Sequence, residues 1–169
     1  MFFQFITFKA MESNKKYTTE EWVSLLLKSY FQLFKKDLIP KSSDIMDSLF
    51  SANFYLVSHQ YQNEPILVYG NQKVLDRWEM TWGEFVGTPS RLTAEKELQN
   101  KRAEMLKIAD KQGCFDKYEG IRISSKGKRF WIKDALIFNI YKDASSNLNS
   151  KVIGQAALFY HTEDVIDSK

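Results

Sequence analysis

The segment Lys128–Tyr141, KRFWIKDALIFNIY, restricts the fold of this chain more than any other. Its β-branched and aromatic residues read as one long strand. Side chains of a strand alternate between two faces. Phe130, Ile132, Leu136, Phe138 and Ile140 therefore share one side, and Trp131, Ala135, Ile137 and Tyr141 share the other. Both sides are largely apolar, unlike a sheet with one wet face. Each needs cover. The amphipathic segment Thr19–Lys36 is one candidate for the second face, and another copy of the chain is the other. Asp134 breaks the first face; it either pairs with a base such as Arg122 or marks a bulge.

The remaining elements follow from caps, periodicity and breakers. Thr18-Thr19-Glu20-Glu21 fits a capping box. Behind it Trp22, Leu25, Leu26, Leu33 and Phe34 recur at helical spacing until Pro40 prevents continuation. Ser43 can cap a shorter helix with Ile45, Met46, Leu49 and Phe50 on one face. Phe54–Ser58 and Ile66–Tyr69 read as short strands around a QYQNEP turn. Helical spacing returns at Val74, Leu75 and Trp78, and again at Trp82, Phe85 and Val86. A longer helix is expected from an N-cap at Thr93 to a stop at Gly113, with Leu98, Met105, Leu106 and Ala109 inward. Phe115–Ser124 then pairs with the long strand through a Ser125-Lys126-Gly127 turn. The polar loop Asp143–Ser150 leads to a last strand, Val152–Tyr160. The order β-β-α-α-α-β-β-β behind two helices predicts an α+β domain. We expect a flexible N-terminus over 1–17, a helical extension over 18–51, the main domain over 52–162 and a tail over 163–169.

Composition removes several function classes. The net charge of +3 comes without a dense Lys/Arg block, so no nucleic-acid surface is expected. Cys114 is the only cysteine, which precludes an internal disulfide and suits a reducing compartment. MFFQFITFKA is too short to span a bilayer and lacks the basic start and cleavage pattern of a signal peptide. A cytoplasmic protein without membrane partners is the expectation. His59 and His161 stand without metal-ligand spacing, and no nucleophile–base or paired-carboxylate motif is present. Neither a metal site nor catalysis is expected. Aromatic residues make up 15% of the chain, enough to point to an aromatic-rich core or partner face.

Several motifs carry a resemblance. They are Tyr69-Gly70-Asn71, Leu75-Asp76 through Trp82 and Glu84-Phe85, Pro89-Ser90-Arg91-Leu92, Gly120-Ile121-Arg122-Ile123-Ser124 with Gly127, Arg129 and Phe130, and Gly154-Gln155-Ala156. Over roughly Phe50 to His161 the chain resembles the PAS superfamily, and more closely the PAS-related MEKHLA domain. The resemblance implies a five-stranded antiparallel sheet with helices on one face, here preceded by an N-terminal helical extension. It also implies ligand sensing or dimerisation as the work. MEKHLA domains occur alone in bacteria or at the C-terminus of plant transcription regulators, and the family name supplies no ligand chemistry. The helical middle segment lacks the reactive cysteine of flavin photosensors, and residues 93–113 lack the histidine that haem-binding members use. Where PAS chains often carry an Asp-x-Thr linker to an effector, this one reads Tyr160-His161-Thr162-Glu163 and stops soon after. Output is therefore expected through dimer rearrangement or a separate effector protein.

The expected function is a non-catalytic sensory or regulatory domain binding a small ligand or a partner protein; the alternative is a ligand-free dimerisation module. No cofactor is identified. The ligand-site candidates are Tyr69, Asn71, Trp78, Trp82, Arg91, Tyr118, Arg122, Phe130, Phe138 and Gln155. Asn71 either caps the helix that follows it or faces a ligand. Arg91 either holds an anion in the cavity or pairs with Glu95 or Glu97. The aromatic members either line a pocket or fill a solid core, and Gln155 needs a partner from a ligand or a neighbour. Interface candidates are Trp22, Leu26, Trp131, Ile137 and Tyr141.

Overall fold

The computed structural model describes residues 16–95, 99–144 and 150–166. The apolar stretch 1–10, nearly all of the expected flexible N-terminus, Glu97 and Leu98, most of the polar loop and the end of the tail lie outside the described residues. Helix α1 (Thr19–Phe34) and α2 (Ile45–Phe50) precede strands β1 (Tyr55–Gln60) and β2 (Ile66–Gly70). Then come α3 (Gln72–Trp78), α4 (Trp82–Phe85), a 3-10 turn (Ser90–Thr93) and α5 (Gln99–Gln112). Strands β3 (Cys114–Ile123), β4 (Arg129–Tyr141), β5 (Val152–Phe159) and β6 (His161–Asp164) complete the chain. Among the described residues no helix is long and apolar enough to cross a membrane.

Local chemistry explains the boundaries. At α1 the Glu21 amide donates to Thr18 Oγ1 at 3.2 Å and the Thr18 amide donates to Glu21 Oε2 at 2.8 Å, closing the expected box. Helix α2 is capped by Asp44, not Ser43: the Asp47 amide donates to Asp44 Oδ1 at 2.9 Å. A carboxylate one residue later reaches the orphan donor and adds favourable charge at the helix start. Thr93 is not the cap of α5. Its hydroxyl donates to the Ser90 carbonyl at 2.8 Å and so closes the 3-10 turn, and α5 is helical from Gln99. Gly113 stops α5 in the left-handed region at φ +87°, where its amide donates to Ala109 O at 2.9 Å.

The antiparallel sheet runs β2-β1-β5-β4-β3, and β6 pairs with the first half of β4. The sheet thus has a sixth strand beyond the five expected. Strand β5 pairs with β4 only from Leu136 onward, which leaves Phe130–Lys133 open for His161–Asp164.

Helices cover both faces. On one, α1 and α2 bring Trp22, Val23, Leu26, Tyr30 and Leu49 onto Leu56, Phe138, Ile140 and Leu158. Burying each such side chain contributes about 1.5–3 kcal/mol. On the other, α3, α4 and α5 bring Val74, Leu75, Trp78, Phe85 and Ala109 onto Phe130, Ile132, Ala135, Ile137 and Phe159. Helix α1 therefore supplies the cover that the second apolar face requires.

The two sets of β4 residues differ from strict alternation. Asp134 has φ +50° and is an extra residue between the pairs Tyr118–Ala135 and Gly120–Ile132. Lys117, at φ +57°, is a matching extra residue on β3. The bulge at Asp134 reverses the strand's parity, so Phe130 and Ile132 share a face with Ala135 and Ile137, while Leu136, Phe138 and Ile140 turn toward α1. Asp134 itself is exposed. Arg122 donates to Tyr118 and Ile121 instead of to Asp134.

Candidate functional site

Three polar residues form a row through the middle of the apolar sheet. Asn139 of β4 lies opposite Gln155 of β5, and Gln155 lies opposite His59 of β1. All three are buried. The row faces α5 and pins it. Asn139 Nδ2 donates to the Asp110 carbonyl at 3.0 Å, and Gln155 Nε2 donates to Leu106 O at 2.9 Å and to Asn139 Oδ1 at 3.2 Å. The Asp110 carbonyl is in the last turn of α5, where a carbonyl would otherwise lack a partner, and Leu106 O takes its bond as a second one.

Beside this row lies a cavity of about 40 Å³, lined by His59, Gln155, Trp78, Thr93, Tyr118, Arg102 and Arg122 among apolar neighbours that include Val57, Leu67, Leu106, Ile132 and Ile137. No Asp or Glu lines it. Strand β3 presents Arg122, whose Nη2 donates to the Tyr118 hydroxyl at 2.6 Å and whose Nη1 donates to Ile121 O at 3.0 Å. Helix α5 presents Arg102, whose Nη2 reaches Ser90 Oγ at 3.3 Å. Helix α3 presents Trp78, held edge-on against Phe130 with ring centroids 4.8 Å apart.

The cavity wall carries unmet hydrogen-bonding capacity. Both His59 nitrogens, Trp78 Nε1, Arg102 Nε and Gln155 Oε1 are buried without a partner. Buried polar atoms are rarely left so, because each forgoes the bonds it made to water. Burial, reinforced by the Arg102 charge, pulls the His59 pKa down to about 3, with the Gln155 amide acting weakly the other way. His59 is therefore a neutral donor and acceptor at physiological pH. Burial and the Arg122 charge lower Arg102 to about 10, which leaves it cationic. Among the described residues no group of three His, Cys, Asp or Glu side chains is placed to hold a metal ion.

Of the ten residues read as ligand-site candidates, Trp78, Tyr118, Arg122 and Gln155 meet at this cavity. Tyr69 and Trp82 pack edge-on at 5.8 Å, away from it, and Phe138 packs against Tyr30 and Phe34 under α1. Phe130 lies behind Trp78. Asn71 occupies the N-cap position of α3 without a side-chain cap bond. Its amide instead accepts from Leu56 N at 3.1 Å and donates to Phe54 O at 2.7 Å, locking α3 to β1. Arg91 neither enters the cavity nor pairs with Glu95. It is ion-paired with Glu64 at the surface, and Glu95 is held by Arg129.

The five interface candidates are also redistributed. Trp22 and Leu26 are fully buried on the sheet, which leaves them no surface for a second chain. The Asp134 bulge turns Ile137 into the cavity wall. Tyr141 is buried near Gly113 and Leu33. Trp131 keeps some exposure and lines a recess of about 70 Å³ together with Arg102, Met105, Tyr118 and Arg122.

Ser58, His59, Thr93 and Arg102 are polar cavity residues that the sequence did not single out as ligand groups. A signal of contrast is available for the row's other two members: Asn139 and Gln155 are polar residues inside largely apolar stretches of β4 and β5.

A central antiparallel sheet with helices α3 to α5 on one side is the PAS arrangement. A PAS domain of a protein from Colwellia psychrerythraea superposes with a TM-score of 0.56 at 14% identity, over 70% of this chain and 92% of that one. A light-oxygen-voltage domain, from work with a flavin analogue, gives 0.53 at 17% identity over 73% of this chain and 85% of that chain. The PAS domain of a LuxR-family transcriptional regulator from Burkholderia thailandensis, in complex with ethanol, gives 0.50 at 14% identity over 72% and 97%. No curated protein matches the chain significantly. The MEKHLA domain matches residues 20–163, and the chain belongs to the MEKHLA domain family. The match takes in α1 and α2 as well as the sheet.

Proposed function

We propose that this chain is a sensory or regulatory module that holds a small ligand between α5 and the sheet and does no chemistry on it. The observation that carries this reading is the cluster of unmet buried polar atoms on His59, Trp78, Arg102 and Gln155 around one cavity. A packed core disfavours such atoms, and a ligand with donors and acceptors satisfies them. The ethanol complex of the Burkholderia regulator offers a parallel for a very small occupant in this fold. Output would pass to a separate effector protein or through a homodimer. The lone free thiol, Cys114, suits work in the cytoplasm. Native mass spectrometry of freshly purified protein tests the reading. A retained small molecule that is lost on denaturation is the expected result. Solvent alone in the cavity, with no stabilisation by any small solute, would sink it.

A second reading, a ligand-free interaction module, is favoured by the exposed Phe31 and Ile45 that line a groove beside α1. Sedimentation analysis of wild type and Phe31→Glu separates the two. A dimer abolished by the substitution, in protein that retains no ligand, would support the second.

A further inference from the structure

Arg122 is buried and Arg102 is half-buried with its Nε fully enclosed, and both stand on the wall of one cavity. Neither has an ion-pair partner among the described residues, and no carboxylate lines the space. Their contacts are to neutral oxygens: Ser90 Oγ for Arg102, and the Tyr118 hydroxyl and Ile121 carbonyl for Arg122. Like charges held together in a low dielectric repel, and burial, together with the Arg122 charge, depresses the Arg102 pKa for that reason. Proteins that bury cations balance them with an anion. Here that anion is not supplied by the described chain. On the same wall, Gln155 Oε1 and the neutral His59 ring add acceptor capacity.

We infer that the cavity is the site of a small organic carboxylate bearing a hydroxyl, whose carboxylate lies between Arg102 and Arg122 and whose hydroxyl donates to Gln155 or His59. Guanidinium groups are matched to carboxylate oxygens in number and geometry. Trp78 Nε1 adds a further donor on the same wall. The volume of about 40 Å³ sets the size. One water needs roughly 10–15 Å³ on this measure, so the space suits a carboxylate of about two or three carbons. Both arginines also line the neighbouring recess with Met105, Glu119 and Trp131.

This inference rests on the ligand-holding reading above, and the experiment separates the two. The full chain is titrated with sodium glycolate, sodium acetate, sodium sulfate and neutral glycolamide at constant ionic strength. Calorimetry and thermal unfolding are the readouts. Saturable glycolate binding is expected, with acetate weaker and glycolamide weaker by at least about tenfold. Arg102→Met and Arg122→Met should each weaken glycolate by about tenfold or more. Glycolamide binding as tightly as glycolate, or full affinity in Arg102→Met, overturns the anionic assignment and leaves a neutral-ligand sensor standing. Sulfate binding more tightly than both carboxylates overturns the carboxylate assignment. No binding of any of the four, with no molecule retained in native mass spectrometry, overturns this inference and the sensor reading together. The glycolate–glycolamide comparison uses unmodified protein, so it decides even if a variant does not fold.

Discussion

The indole of Trp22 donates to the Ser58 hydroxyl at 2.8 Å, with both residues almost wholly buried. This bond ties helix α1 to the strand that carries His59, and Ser58 itself borders the cavity. Ser58→Ala strands the indole N–H and should cost about 1–3 kcal/mol in urea unfolding. Trp22→Phe removes the donor and some packing. The double variant should lose less than the sum of the two, because the bond is then counted once. Strict additivity would show that the bond contributes nothing.

Asn71 is a clamp between elements instead of a cap. Its side chain supplies both a donor and an acceptor to the Phe54–Leu56 backbone. Asn71→Ala should therefore lower stability by about 2–4 kcal/mol, two buried backbone groups being left unpaired. Asn71→Asp keeps the acceptor for Leu56 N and should fall between wild type and the alanine variant. A helix cap alone would instead make aspartate equal to asparagine.

Stability should fall between neutral pH and pH 5 because of His59. Its ordinary value is 6.5 and its folded value about 3. The unfolded chain therefore takes up this proton first as pH falls. The contribution of the neutral ring is complete above pH 6.5 and is lost progressively toward pH 3, at up to about 1.4 kcal/mol per pH unit. Arg102 on α5, Arg122 and Tyr118 on β3, and Gln155 on β5 line the same cavity, and Tyr61 lies 5.4 Å from the ring. None of them carries negative charge at neutral pH to rescue the imidazolium. Urea unfolding at pH 7, 6 and 5 should show the slope in wild type and a flatter profile in His59→Gln. Equal slopes would refute the assignment.

Gly154 of β5 lies close against the His59 backbone and the Trp22 ring. A methyl added there would overlap the His59 carbonyl oxygen and lie 2.7 Å from the Trp22 ring. The backbone atom cannot yield cheaply, so Gly154→Ala should cost about 3 kcal/mol or more. Thermal unfolding measures it, and a shift of under a degree would mean that β5 accommodates the methyl.

What could be read in the residues beforehand was local or periodic. The Thr18–Glu21 box lies within four residues, and the apolar stripe of α1 answers the demand of a strand that is apolar on both sides. The parity of β4 was not legible, because Asp134 becomes an extra residue only through its pairing with β3, where Lys117 makes the compensating insertion. Strict alternation separates Ile137 from Phe130 and Ile132 for that reason, whereas the bulge brings them together. Arg102 sits on a helix rich in surface charge, and nothing along the chain distinguishes it from its neighbours. Its burial follows from how α5 lies on the Asn139–Gln155–His59 row, and that row exists only once three separate strands stand side by side.

Asp134 works on this strand as a frameshift works on a message. Everything after it is assigned to the other compartment, so the two cores are addressed by a count of residues as much as by their identities. Removing Asp134 would not be a local lesion at an exposed bulge. It would send Ala135 and Ile137 toward α1 and Leu136 and Phe138 toward the cavity, exchanging small for large on the wall that now leaves room for a ligand. The empty space beside Gln155 is thus kept open by a residue that does not touch it.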